Sequence, residues 1–73
     1  MSARDLFNKL GYSWCYENNE GIKYYNACGM GITVFRNGSI SVSSDINEDG
    51  ICITKDEFYA ILVQLKEYGV TYM

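Results

Sequence analysis

The chain predicts a small two-layer α+β domain, in which a short N-terminal helix, an antiparallel meander of five strands and a longer C-terminal helix follow one another. Three observations predict it. Apolar residues recur at spacings of three and four near both ends, and at every second position between them, which are the periods of helix and strand. Both helical stretches open on a capping residue with an acid three positions later, Ser2 with Asp5 and Thr54 with Glu57. Asn37-Gly38 stands between two alternating runs, the strongest short hairpin signal. With 73 residues, the chain has room for a single domain, residues 1–73. A chain of this size buries only about 60% of the surface it exposes when unfolded, so one modest core is expected.

Taken in order, Ser2 to Leu10 is the first helix, with Leu6, Phe7 and Leu10 as its apolar stripe and Gly11 as its stop. The period then changes to two: Tyr12, Trp14 and Tyr16 alternate with Ser13, Cys15 and Glu17 in a first strand. Asn18 to Gly21 has turn chemistry, and Ile22 to Ala27 is the second strand. Gly29-Met30-Gly31 reads as a loop. Ile32 to Phe35 and Ile40 to Ser44 form the hairpin around Asn37-Gly38, and Ile51 to Ile53 is a short fifth strand. The last helix runs from Thr54 to Tyr68, with Phe58, Ile61, Leu62, Leu65 and Tyr68 on one face. Gly69 and Val70 then suit a Schellman close.

The expected core is Leu6, Phe7, Leu10, Trp14, Ile32, Val34, Phe58, Ile61, Leu62 and Leu65. On that reading Leu62→Ala removes about 2–5 kcal/mol, as for a buried leucine.

Composition excludes several classes of function. Nine acids against six bases leave a net charge of −3, and the bases are scattered singly. A phosphate-binding face needs clustered bases, so direct nucleic-acid binding is not expected. No run approaches the roughly 20 apolar residues of a membrane span, and the opening residues lack signal-peptide architecture, which points to the cytoplasm. Cys15, Cys28 and Cys52 are odd in number and form no Cys-x-x-Cys pair, so they read as reduced, buried small hydrophobes.

The chain has no histidine, the commonest general base and metal ligand. Its serines have no such base to activate them, and Gly29-Met30-Gly31 lacks the lysine or third glycine of a nucleotide loop. No enzymatic activity and no cofactor are expected. One chemical motif stands out. Asp45-Ile46-Asn47-Glu48-Asp49-Gly50 matches the first half of a calcium loop, with Asp45, Asn47, Asp49 and Asp56 as the weak ligand set. The long acid of such a loop arrives one residue late, at Glu57, and no helix leads in. An acidic turn between strands accounts for it better, and tight calcium binding is not expected.

Seven tyrosines, one tryptophan and three phenylalanines exceed the needs of a modest core. Surplus aromatics suit protein contact, where Tyr and Trp are enriched. The expected contact surface combines Tyr12, Trp14 and Tyr16 with the acids Asp45, Glu48, Asp49 and Asp56, the acids steering a basic partner. Two alternatives stand beside protein binding. One is a nucleotide-binding or sequestering module using Tyr24 and Lys23; the other is the calcium module. Self-association through an open sheet edge, giving a homodimer, is a further outcome to expect of a small sheet.

Three segments carry a resemblance: Leu6-Phe7-Asn8-Lys9-Leu10-Gly11-Tyr12, Gly21-Ile22-Lys23-Tyr24-Tyr25, and Ile53-Thr54-Lys55-Asp56-Glu57-Phe58 with the helix to Gly69. They resemble a group of small, functionally uncharacterised proteins of Gram-positive bacteria and their phages. The resemblance implies a phage or mobile-element accessory protein in the host cytoplasm. It carries no catalytic or binding residue to transfer. In that setting a protein-binding inhibitor of a host defence or nucleic-acid enzyme is the expected role.

Overall fold

The computed structural model describes residues 2–44 and 53–70. Their elements are α1 (Ala3–Lys9), β1 (Tyr12–Glu17), β2 (Gly21–Asn26), β3 (Met30–Phe35), β4 (Ile40–Ser44) and α2 (Lys55–Glu67). The strands pair antiparallel in the order β1-β2-β3-β4, a simple meander. Helix α1 packs on α2 and β1, while α2 reaches β3. The α+β class and the two-layer order agree with the expectation.

Local chemistry starts and stops each helix. Ser2 Oγ accepts from the Asp5 amide at 3.2 Å, and Thr54 Oγ1 accepts from the Glu57 amide at 3.1 Å. Each acid returns the bond to the amide of its cap, which completes both capping boxes. At the far end of α2 the Val70 amide reaches the Leu65 carbonyl at 3.0 Å and the Gly69 amide reaches Lys66, the Schellman pattern. Gly69 holds φ +80° there, a conformation glycine adopts without strain. Asparagine side chains organise the three strand turns. Asn18 Oδ1 accepts from the Glu20 and Gly21 amides, Asn26 Oδ1 from Cys28 and Met30, and Asn37 Oδ1 from Ser39.

The described sheet has four strands, not five. Of the expected strand Ile51–Ile53, Ile51 and Cys52 lie outside the described residues. Ile53 is outside any strand and packs against the core immediately before the Thr54 cap. Met30 and Gly31, expected in a loop, belong to β3 and pair with Ser44 and Ser43. The Asn26 side chain closes the turn so tightly that pairing resumes at Met30.

The core lies between the helices and one sheet face. It contains Phe7, Tyr12, Ile22, Tyr24, Ile32, Val34, Ala60, Ile61 and Leu65. Phe7 is its centre, stacked on Tyr24 at 4.0 Å and set edge-on to Tyr12 at 5.6 Å. Leu6 and Leu10 pack at its margin.

Three expected core residues are corrected. Trp14 is 47% exposed, Phe58 56% and Leu62 37%. Trp14 sits on β1, an edge strand, with the Arg4 guanidinium over its ring at 5.0 Å. On α2 the apolar arc is broader than the buried one. The interior takes Ala60, Ile61, Gln64 and Leu65, which leaves Phe58 and Leu62 roughly a quarter to a third of a turn aside. Gln64 is buried with its Oε1 accepting the Tyr24 hydroxyl at 2.8 Å, so the carbonyl and the phenol enter the core as a bonded pair. The expected cost of Leu62→Ala changes accordingly. It should remove about 1 kcal/mol or less, while Leu65→Ala, with its side chain buried, removes about 2–5 kcal/mol. Urea titrations of the two variants side by side check that order.

Candidate binding surfaces

Among the described residues, the aromatic contact residues expected from sequence do not share one surface. Tyr12 is buried, and its hydroxyl donates to Glu57 Oε2 at 2.7 Å. Trp14 and Tyr16 are exposed but on opposite faces of the sheet. A bulge between them shifts the register: Trp14 stands opposite Tyr24 on the helix side, and Tyr16 opposite Lys23 on the open side. One extra residue in an edge strand moves every later side chain to the other face. Asp56 is exposed in the first turn of α2. Asp45, Glu48 and Asp49 lie outside the described residues, as does Asn47 of the weak calcium ligand set. Among the described residues no group of three or more His, Cys, Asp or Glu could hold a metal ion.

The nucleotide alternative is divided in the same way. Tyr24 is buried with its ring face on Phe7, and Lys23 points from the opposite sheet face. They do not form one stacking site. The cysteine expectation is also corrected: Cys15 and Cys28 are free and exposed. Cys15 occupies the β1 bulge and Cys28 the β2–β3 turn, positions that the helices do not cover.

A different surface is assembled instead. Ile40 of β4 meets Phe58 and Leu62 of α2 across an apolar groove of about 360 Å³, floored by Ile61 and Leu65. Ile40 faces the helix side because it pairs with Val34, whose side chain is core. Helix α2 packs over β3, so the inner face of the neighbouring edge strand stays open beside it. The sequence signal for this groove was present as the over-wide apolar arc of α2. Periodicity alone could not say which flank of that arc would be left outside.

The electrostatics of the helix–sheet seam centre on three tyrosines. Burial, reinforced by the Glu57 carboxylate, holds the Tyr12 phenol above the usual tyrosine range. Burial pushes Tyr24 from 10.0 up to about 12, although Arg4 pulls the other way. Tyr68 rises to about 12 through burial and the Glu17 carboxylate, which accepts its hydroxyl at 3.2 Å. All three folded-state values lie above the unfolded one, so the neutral phenols contribute stability below pH 10. That contribution is lost as pH rises through the folded values. Stability should therefore be flat from neutral pH to about 10 and fall above it, by about 1.4 kcal/mol per pH unit for each buried tyrosine that titrates. Urea titrations at stepped alkaline pH check this, and a level profile to pH 12 contradicts it.

Among the described residues no helix is long and apolar enough to cross a membrane. Compared with models of known protein families, with curated proteins and with solved structures, the chain matches none of them.

Proposed function

We propose that the protein acts by binding another protein, and that the Ile40–Phe58–Leu62 groove is where the partner docks. One observation carries this reading: three large apolar side chains, 39%, 56% and 37% exposed, converge on one groove with an apolar floor. A small domain gains nothing in stability from leaving such side chains in water. Contiguous exposed apolar surface marks interaction sites. A groove alongside a helix suits an amphipathic helix of the partner, anchored by side chains at i, i+3 or i+4. The net charge of −3 favours a partner with basic residues around that apolar stripe.

The resemblance to phage and mobile-element proteins makes a host defence or nucleic-acid enzyme the proposed target, met in the host cytoplasm and inhibited by occlusion. Trp14, with Arg4 over its ring, is also exposed, as are Tyr16 and Tyr59, and all three lie outside this groove.

Affinity capture from a Gram-positive host lysate, run in parallel with variants, tests the proposal. Phe58→Asp should abolish recovery of the captured protein with little change in the melting temperature, because Phe58 contributes little to the core. Trp14→Ala should leave recovery intact. Equal recovery by Phe58→Asp contradicts the groove. Sedimentation showing a dimer that Phe58→Asp dissociates would make a second copy the occupant and overturn the proposed partner.

A further inference from the structure

The helix–sheet seam also holds a polar cavity that shares no lining residue with the groove. The start of α1, the end of α2, Glu17 at the end of β1 and Arg36 after β3 enclose about 480 Å³. Two guanidiniums (Arg4, Arg36), two carboxylates (Glu17, Glu67), two phenols (Tyr24, Tyr68) and the Gln64 amide line it.

Much of this polarity is already committed. Glu17 Oε2 accepts from Arg36 at 3.3 Å and from the Tyr68 hydroxyl at 3.2 Å, and the Arg36 guanidinium lies 4.4 Å from the Tyr68 ring centre. Glu67 Oε2 accepts the Ala3 amide at 2.7 Å. The Tyr24 hydroxyl donates to Gln64 Oε1.

What remains is informative. Arg4 pairs with no carboxylate among the described residues; it stands over Trp14 and close enough to the Tyr24 hydroxyl to draw on it. Gln64 is only 4% exposed, yet its Nε2 donates no hydrogen bond among the described residues. No buried side-chain nitrogen or oxygen among them lacks a partner, so this amide is not sealed and opens onto the cavity it lines. The second oxygens of Glu17 and Glu67 likewise accept nothing among the described residues. Unspent donors and unspent acceptors thus share one cavity whose formal charges cancel.

The geometry points to a binding site for a small zwitterion of the free α-amino-acid class. Its carboxylate takes the Arg4 guanidinium and the Gln64 amide, a pairing for which a planar guanidinium is suited. Its ammonium takes the free oxygens of Glu17 and Glu67. A phosphate would bring its charge against two carboxylates, and a simple cation would face two guanidiniums, each repulsive at short range. The volume is within the range of small-molecule sites.

Gln64 is the sole glutamine in the chain, so its side-chain amide gives an unambiguous NMR signal after selective ¹⁵N labelling. The probes are free L-amino acids at about 10 mM, enough to fill a millimolar site, with acetate, inorganic phosphate and methylammonium as single-charge controls. At least one amino acid should move the Gln64 signal saturably while the controls leave it in place. Arg4→Gln, a change at an exposed helical position, should weaken that response at least tenfold without altering the melting temperature. A Gln64 signal unmoved by every amino acid overturns the site. So does an equal shift with phosphate or acetate alone, or an unchanged affinity in Arg4→Gln. None of these outcomes depends on Phe58 or the groove, so the two proposals stand or fall separately.

Discussion

Phe7→Ala should lower the unfolding free energy by about 3–5 kcal/mol, the cost of truncating a buried phenylalanine. Phe7 is fully buried, stacks on Tyr24 at 4.0 Å and meets the edge of Tyr12. Removing the ring strips a partner from both tyrosines and leaves a cavity under α1, whose start is tied to α2 by the Ala3–Glu67 bond. A domain of this length holds about 4–11 kcal/mol in total. The variant should therefore be at or near the unfolding threshold at physiological temperature. Urea unfolding followed by far-ultraviolet circular dichroism measures the loss. Phe7→Leu, which keeps most of the volume, should cost about 1.5 kcal/mol or less. A Phe7→Ala loss below 1 kcal/mol would show that the aromatic stack is not the centre of the core.

The second large effect is expected at Gly21. This residue opens β2 directly opposite Phe35, and an added Cβ would collide with the Val34 carbonyl oxygen and come within 2.8 Å of Phe35 Cα. Both are backbone atoms of the paired strand, so relief requires moving β3 rather than rotating a side chain. Overpacking of that kind costs about 1–3 kcal/mol, and Gly21→Ala should fall at the upper end. Gly31 supplies the control. There the nearest atoms to a new Cβ are Lys23 Cε at 3.1 Å and Ser43 Oγ at 3.2 Å, side-chain atoms that can yield. Gly31→Ala should cost about 1 kcal/mol or less. Hydrogen exchange adds a structural readout: amide protection along β2 and β3 should drop in Gly21→Ala and persist in Gly31→Ala. Equal losses in the two variants would contradict the backbone collision.

Surface and core follow different rules on α2, and the variants separate them. Phe58 and Leu62 share the spacing of Ile61 and Leu65, yet the latter pair is buried and carries more of the stability. Their proposed role is contact with a partner, so substitution there should change binding and barely change folding. Alkaline titration probes a third property, the neutrality of the phenols in the seam.

What the amino-acid order determined by itself is local. Ser2 with Asp5 and Thr54 with Glu57 start the two helices, and Gly11 and Gly69 end them, because these signals act within one helical turn. The two-residue rhythm and Asn37-Gly38 set the strands and their hairpin, since pleat and turn geometry are also local. Tertiary structure decided the rest. A bulge sent Tyr16 and Trp14 to opposite faces, which alternation cannot reveal because the extra residue is defined only against the paired strand. The docking of α2 over β3 chose Ala60 and Gln64 for the interior and left Phe58 and Leu62 outside, although hydropathy ranks them in the reverse order. Gln64 could enter because Tyr24, 40 residues earlier, met its carbonyl. The polar cavity likewise joins Arg4, Glu17, Arg36 and Glu67 from four separate segments. Such meetings depend on how layers pack, and no window of sequence contains both partners.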